Sequence, residues 1–193
     1  MPEVTAALVL AAGLSRRFGA NKLLADWHGR PLVTHAIDAA CTAPVDHIIV
    51  VTGHQADEIA TAVLRHAPRP VQIVQAPGYA EGMGMSLRAG IAALETNVQA
   101  VVVFLGDMPD VPHEIAVDVL KAVLDGAPAA APVCEGRRGH PAAFRADLFP
   151  ALRALSGDEG AKSVFSGLGE AWVRIPCDDP GILFDVDRRI SEM

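Results

Sequence analysis

Apolar runs of strand length, separated by stretches of helical spacing, constrain this chain more than any other feature. Val4 to Val9, Asp46 to Thr52, Val71 to Gln75 and Ala100 to Leu105 read as strands with little polar alternation. That pattern belongs to strands covered on both faces. Pro31 to Thr42, Ala56 to His66 and Met83 to Glu95 carry helical spacing between them, and Pro112 to Leu124 makes a fourth helix ended by Gly126. Pro31 is placed as a first-turn proline. A β-α-β-α order predicts a three-layer, Rossmann-like α/β domain whose sheet is mainly parallel, with right-handed crossovers. After about residue 128 the pattern loosens into short strands (Ala129 to Val133, Ala142 to Phe144, Ala171 to Ile175) and short helices around Leu148 to Leu155 and Gly160 to Leu168.

Ligands of open α/β sheets sit outside the carboxyl ends of the strands. The strand ends here run into Gly13, Gly53-His54, Gln75 and Gly106-Asp107, a convergence of small and polar residues. The first turn is the richest: Leu10-Ala11-Ala12-Gly13-Leu14-Ser15-Arg16-Arg17-Phe18-Gly19, followed by Lys22. Small residues let backbone N–H groups approach an anion, and Arg16, Arg17 and Lys22 add charge. Two familiar phosphate loops are excluded by spacing. A Walker A loop needs a glycine five residues after the first, but Phe18 stands there. The nearest dinucleotide fingerprint, Gly82-Met83-Gly84, has Leu87 where its third glycine belongs.

The chain of 193 residues suits a single domain, long enough to bury roughly 70% of its unfolded surface. A net charge of -7 argues against nucleic acid or an anionic membrane as main partner, so a bound phosphate must be met by local cations. No apolar run reaches spanning length, and the N-terminus lacks a signal-like region. Cys41, Cys134 and Cys177 are odd in number and widely spaced, which suits a reduced cytoplasm better than a disulfide framework.

Asp107 follows a strand end in Gly106-Asp107-Met108-Pro109-Asp110, and such a carboxylate is a candidate Mg²⁺ ligand. Asp110 reads instead as a cap for the helix near Pro112. Asp185-Val186-Asp187 near the end puts two carboxylates on one face if the segment is a strand.

The first-turn residues resemble the signature L-A-[AG]-G-x-[GS]-x-R-[MF]-G plus Lys of the MobA-like nucleotidyltransferases, met by Leu10, Ala11, Ala12, Gly13, Ser15, Arg17, Phe18, Gly19 and Lys22. Three further runs resemble the branch that handles molybdenum cofactor, the cytidylyltransferases. They are Glu81-Gly82-Met83-Gly84-Met85-Ser86-Leu87-Arg88-Ala89-Gly90, Gly136-Arg137-Arg138-Gly139-His140-Pro141 and Leu155-Ser156-Gly157-Asp158-Glu159-Gly160-Ala161-Lys162. In the last, Lys162 replaces the usual arginine, keeping the charge but losing the planar fork. Gly106-Asp107-Met108-Pro109 resembles the metal-binding segment. Asp185-Val186-Asp187 matches part of a D-[IV]-D-T-P-E-D ending whose remainder is missing.

The resemblance implies a nucleotide-diphospho-sugar transferase type of fold in one domain, with a nucleotide-binding half at about 1–127 and an acceptor-binding half at about 128–193. It implies transfer of CMP from CTP to molybdopterin with release of pyrophosphate, using Mg²⁺ or Mn²⁺. Arg17 and Lys22 would be catalytic. Leu10, Ala11, Ala12, Gly13, Ser15, Lys22, Gln75 and Ser86 would bind nucleotide. Asp107, Asp185 and Asp187 would hold metal, and Arg137, Arg138, His140 and Lys162 would bind the pterin-phosphate acceptor. A molybdoenzyme or its chaperone would be the protein partner. Ala12 argues for cytidine, since guanylyl members usually carry glycine there. A guanylyl- or sugar-phosphate nucleotidyltransferase, a redox-adapted relative and a non-catalytic cofactor carrier are the alternatives. The intact Arg17, Lys22 and Asp107 weigh against the last, and the missing dinucleotide fingerprint weighs against the redox reading.

Overall fold

A computed structural model describes residues 3–15, 18, 20–158 and 160–186. Strand β1 (Val4–Ala11) leads through a loop to a small hairpin, β2 (Asp26–Trp27) and β3 (Arg30–Pro31). Helix α1 (Val33–Thr42), β4 (His47–Thr52), α2 (Ala56–His66), β5 (Gln72–Gln75), α3 (Met83–Ala92), β6 (Val98–Leu105) and α4 (Glu114–Leu124) then alternate. The remainder comprises β7 (Ala129–Cys134), β8 (Arg137–Arg138), β9 (Ala142–Arg145), α5 (Phe149–Arg153), α6 (Lys162–Leu168) and β10 (Val173–Pro176). The main sheet runs β10-β7-β9-β6-β1-β4-β5, with β8 paired to β7. Pairs β6–β1, β1–β4, β4–β5 and β7–β10 are parallel, whereas β9 runs antiparallel to both neighbours.

Alternate residues of each strand feed opposite layers, as the pleat requires. Ala7, Val9 and Ala11 of β1 join Ile37, Ile59 and Leu120 from α1, α2 and α4. Ala6, Leu8 and Leu10 join Leu87, Leu152 and Phe165 from α3, α5 and α6. The expected three layers are therefore present, and β1 is buried almost throughout. β5 departs from the expectation of a doubly covered strand. It lies at the sheet edge, where Gln72 and Gln75 are exposed.

Two tight turns went unread in the sequence. His28 and Gly29 both have positive φ, as do Glu135 and Gly136, the requirement of a two-residue hairpin turn that follows strand twist. The first makes Pro31 a hairpin residue paired with Asp26, not the opening residue of α1. The second makes Arg137 and Arg138 a short strand. Asp110 does not cap α4, whose cap position is His113 with no side-chain hydrogen bond. Its carbonyl is instead pressed against Gly181, where a Cβ would lie 2.1 Å from the oxygen. That contact holds the chain's closing turn, Pro180–Leu183, against the loop after β6. Replacing Gly181 by alanine should cost about 1–3 kcal/mol through forced backbone displacement. Gly167→Ala in α6 meets open space and should gain up to about 1 kcal/mol. Urea unfolding of both variants, compared at constant slope, checks the pair.

Candidate active site

Strand order sets where a ligand can sit. The chain passes from β1 to β4 and β5 on one side, then returns to β6 on the other. Such a reversal opens a crevice at the carboxyl ends of the two strands flanking it. A cleft of about 390 Å³ occupies that place, floored by Leu10 of β1 and Leu105 of β6. Its rim carries Gly13, Ser15, Lys22 and Asp107, and α3 contributes Met83 and Ser86. Gly90 brings α3 close enough for this: a Cβ there would lie 2.9 Å from the Leu8 side chain and 3.0 Å from Val51.

The turn after β1 is folded by its own side chains. Ser15, in the left-handed region, accepts a hydrogen bond at Oγ from the Lys22 backbone N–H at 3.1 Å. Asn21 Oδ1 accepts from Leu23 N–H at 3.1 Å, and the Asn21 amide donates to the His54 carbonyl beyond β4 at 3.3 Å. Lys22 is thereby aimed across the crevice, with its Nζ 2.7 Å from Asp107 Oδ2. The two side chains are 13% and 23% exposed, so this ion pair is mostly screened from solvent yet open to the cleft.

The loop and the chain's closing segment share a small core of Phe18, Leu32 and Val186, flanked by Trp27 and Phe184. Val186 N–H donates to the Asp107 carbonyl at 3.0 Å, which draws exposed Asp185 up beside the Asp107 loop. Residues 184–186 form no strand and reach Asp107 by backbone pairing; Asp187, the other member of the expected face, lies outside the described residues. Among the described residues no group of three or more His, Cys, Asp or Glu side chains makes a ready-made metal cage. One or two carboxylates are nevertheless a protein donor set that suits Mg²⁺, which keeps waters and phosphate oxygens as its other ligands.

The other expected residues fall into three groups. Arg17 and Asp187 lie outside the described residues. Ala11 and Ala12 are 0% and 3% exposed and are not walls of the cleft; exposed Gln75, on the edge strand, is not one either. The packed interior around the strand end encloses both alanine methyls, so the cytidine argument built on Ala12 loses its steric basis. The acceptor set is only partly assembled. The Arg138 guanidinium lies 4.0 Å above the Phe165 ring of α6, and exposed Lys162 lines a neighbouring hollow with Ser163 and Ser166. Arg137 is exposed on the hairpin. Asp158 lines both the hollow and the main cleft. Tyr79 and Asp158 were not anticipated as cleft residues. Both lie in or beside quoted motifs, but a single sequence gives no means of telling which motif residues face outward.

The chain matches the MobA-like NTP transferase domain over residues 7–182. It belongs to that family. Purine catabolism protein PucB of Bacillus subtilis is 32% identical over 188 residues, covering 92% of this chain and 89% of its own length. The crystal structure of Rv0371c from Mycobacterium tuberculosis superposes with a TM-score of 0.83 at 26% identity, over 96% of this chain and 94% of that one. A manganese complex of Rv0371c superposes at 0.77 with 23% identity, over 91% of this chain and 89% of that one. In this MobA-like chain the described residues contain no helix long and apolar enough to cross a membrane.

His140 lies within reach of the charges of both Arg138 and Asp107. Burial, with the Arg138 charge beside it, pushes its pKa down to about 4, while a hydrogen bond with the Val103 backbone and the charge of Asp107 act in the opposite sense. Its Nδ1 and the Arg138 Nη1 are buried without hydrogen-bond partners among the described residues. The imidazole is therefore neutral at pH 7. On acidification below about 6.5 the unfolded chain takes up a proton that the folded one refuses, so stability falls from there to about pH 4. The loss should reach at most about 3 kcal/mol. Melting curves across that range should fall more steeply for the wild type than for His140→Gln; parallel curves would refute the assignment.

Proposed function

We propose that this MobA-like protein transfers CMP from CTP to the terminal phosphate of a molybdopterin-type acceptor, releasing pyrophosphate. The observation that carries the reading is the Lys22–Asp107 pair facing the cleft between β1 and β6. An acceptor phosphate oxygen attacks the α-phosphorus in line as the bond to the β-phosphate bridging oxygen breaks. The protein's work in such a reaction is positioning and charge neutralisation, and no side-chain nucleophile is needed.

Lys22 binds the triphosphate and stabilises the charge that grows on pyrophosphate. Its backbone is fixed by the hydrogen bonds from Lys22 N–H to Ser15 Oγ and from Leu23 N–H to Asn21 Oδ1. Gly13 and Ser15 offer backbone to the phosphates, and Ser86, in the first turn of α3 and only 4% exposed, offers a hydroxyl at the cleft wall. Arg17, in the same loop by sequence, adds a second cation. Asp107, with Asp185 beside it and Asp187 two residues further, would hold the divalent cation. That cation supplies charge neutralisation at the reacting phosphates. That a neighbour of the same fold forms a manganese complex supports a divalent cation as part of this reading. Arg137, Arg138, His140 and Lys162 form the acceptor side, in a half running from about residue 128, and a cytoplasmic molybdoenzyme or its chaperone is the recipient. A guanine nucleotide is the second reading, because buried Ala12 does not wall the cleft against a purine.

Thermal melting with Mg²⁺ and each of CTP, GTP, ATP and UTP tests the nucleotide, since excess ligand raises stability by an amount that follows concentration over Kd. CTP should give the largest shift; a larger one with GTP transfers the reading to guanylyl transfer. Lys22→Ala should weaken triphosphate binding and lower kcat/KM at least tenfold, or ~1.4 kcal/mol of transition-state stabilisation. Asp107→Ala should abolish Mg²⁺-dependent pyrophosphate release and keep the wild-type circular dichroism spectrum. Near-normal turnover in that variant would remove Asp107 from the metal site.

A further inference from the structure

Ala11 and Ala12 are enclosed at the end of β1, so the residue that meets the base must come from another wall. Among the described residues two aromatics border the cleft; Phe18 is 6% exposed and packed with Leu32 and Val186, which leaves Tyr79 as the ring placed for it. It opens the short helical turn Tyr79–Glu81, which is closed by a hydrogen bond from Glu81 N–H to the Gly78 carbonyl at 2.9 Å. Gly78 holds positive φ there, a conformation that suits glycine. One side of the Tyr79 ring rests on the backbone of Gly53, just past β4. A Cβ at Gly53 would lie 2.5 Å from Tyr79 Cγ and 2.8 Å from Cδ2. No other residue at 53 leaves the ring where it is. Tyr79 is at the same time a wall of the cleft.

The strand order separates this ring from the charged end. Gly53 follows β4, Asp107 follows β6, and β1 lies between them. Two strand spacings amount to about 10 Å across the sheet. A ligand spanning that distance meets Lys22 and Asp107 at one end and an aromatic ring backed by rigid backbone at the other. A ring seated on a strand end cannot retreat, so it fixes the depth of the space beyond Gly13.

We infer that Tyr79, held by Gly53, is the specificity-determining residue of the nucleotide site: it stacks on the base and sets the depth that distinguishes one ring from two. This rests on the nucleotide reading above. Titration calorimetry with CTP, GTP and inorganic tripolyphosphate, each with Mg²⁺, tests it, because tripolyphosphate fills the charged end and has no base. Tyr79→Ala should weaken the preferred nucleotide by roughly tenfold or more, the scale of one lost stacking contact. Its affinity for tripolyphosphate should stay within about twofold of wild type. Tyr79→Leu, which retains an apolar wall without a ring, should behave likewise and covers the case in which the alanine variant fails to fold. Tyr79→Phe should bind as wild type does. Gly53→Ala, which displaces the ring and leaves its chemistry intact, should change the CTP to GTP ratio. An unchanged ratio and affinity in Tyr79→Leu overturns the inference, and so does a parallel loss of tripolyphosphate. Wild-type protein that binds nucleotide no better than tripolyphosphate overturns it while leaving a phosphate site standing. Wild-type protein that binds neither overturns the nucleotide reading as well.

Discussion

The 2.7 Å contact between Lys22 and Asp107 joins two segments that approach each other only because β6 returns to the far side of β1. Lys22 stands in the loop after β1 and Asp107 in the turn after β6. Their meeting marks the place where the sheet changes direction. A cation and a carboxylate left facing a cleft, at 13% and 23% exposure, have little to offer stability beyond what a partly screened pair gives. On the proposed reading, the pair is the resting arrangement of groups that meet a charged ligand. The surrounding chain is organised to hold it. Ser15 and Asn21 fix the lysine's turn, while Val186 N–H ties down the carbonyl of the aspartate.

The layered fold was readable because it rests on periodicity. The continuous apolar runs of β1, β4 and β6 and the helical spacing of α1 to α4 are local records of burial on two faces and on one. What escaped depended on turns and edges. The His28-Gly29 and Glu135-Gly136 hairpins lack the Asn-Gly or Asp-Gly pair that announces such turns, so the sequence reads Pro31 as a helix start and gives no sign of the short strand Arg137–Arg138. β5 carries Ile73 and Val74 at its centre with a glutamine on either side, and among the described residues it ends the sheet with those glutamines facing solvent. In the site, Gly13, Lys22 and Asp107 line one cleft as the strand ends suggested, and Ser15 and Ser86, expected from the motifs, line it with them. Ala12, Gln75 and Tyr79 could not be sorted that way. Which side of a strand end faces a cleft depends on the neighbouring strand, and Tyr79 reaches the cleft only because position 53 has no side chain.

The glycines of the motifs divide by what surrounds them, and the division separates scaffold from ligand surface. Gly82 has a built Cβ position 2.4 Å from the Gly157 backbone, and Gly84 one 2.9 Å from the same carbonyl. Gly84 N–H also donates to that carbonyl at 2.8 Å. Gly139 is likewise pressed to within 2.3 Å of the Ile182 carbonyl. These contacts join loops from the first and second parts of the chain, backbone to backbone, where any side chain would wedge them apart. They account for glycine without reference to a ligand. Gly13 differs. A Cβ there meets nothing within 4 Å among the described residues, and its φ lies outside the region that favours glycine. Neither packing nor strain requires glycine at that position, and the space in front of it opens into the cleft beside Lys22. A residue that meets open space beside Lys22 leaves its backbone within reach of the cleft, and this is the access the proposed nucleotide reading requires, since phosphate oxygens accept from backbone N–H groups.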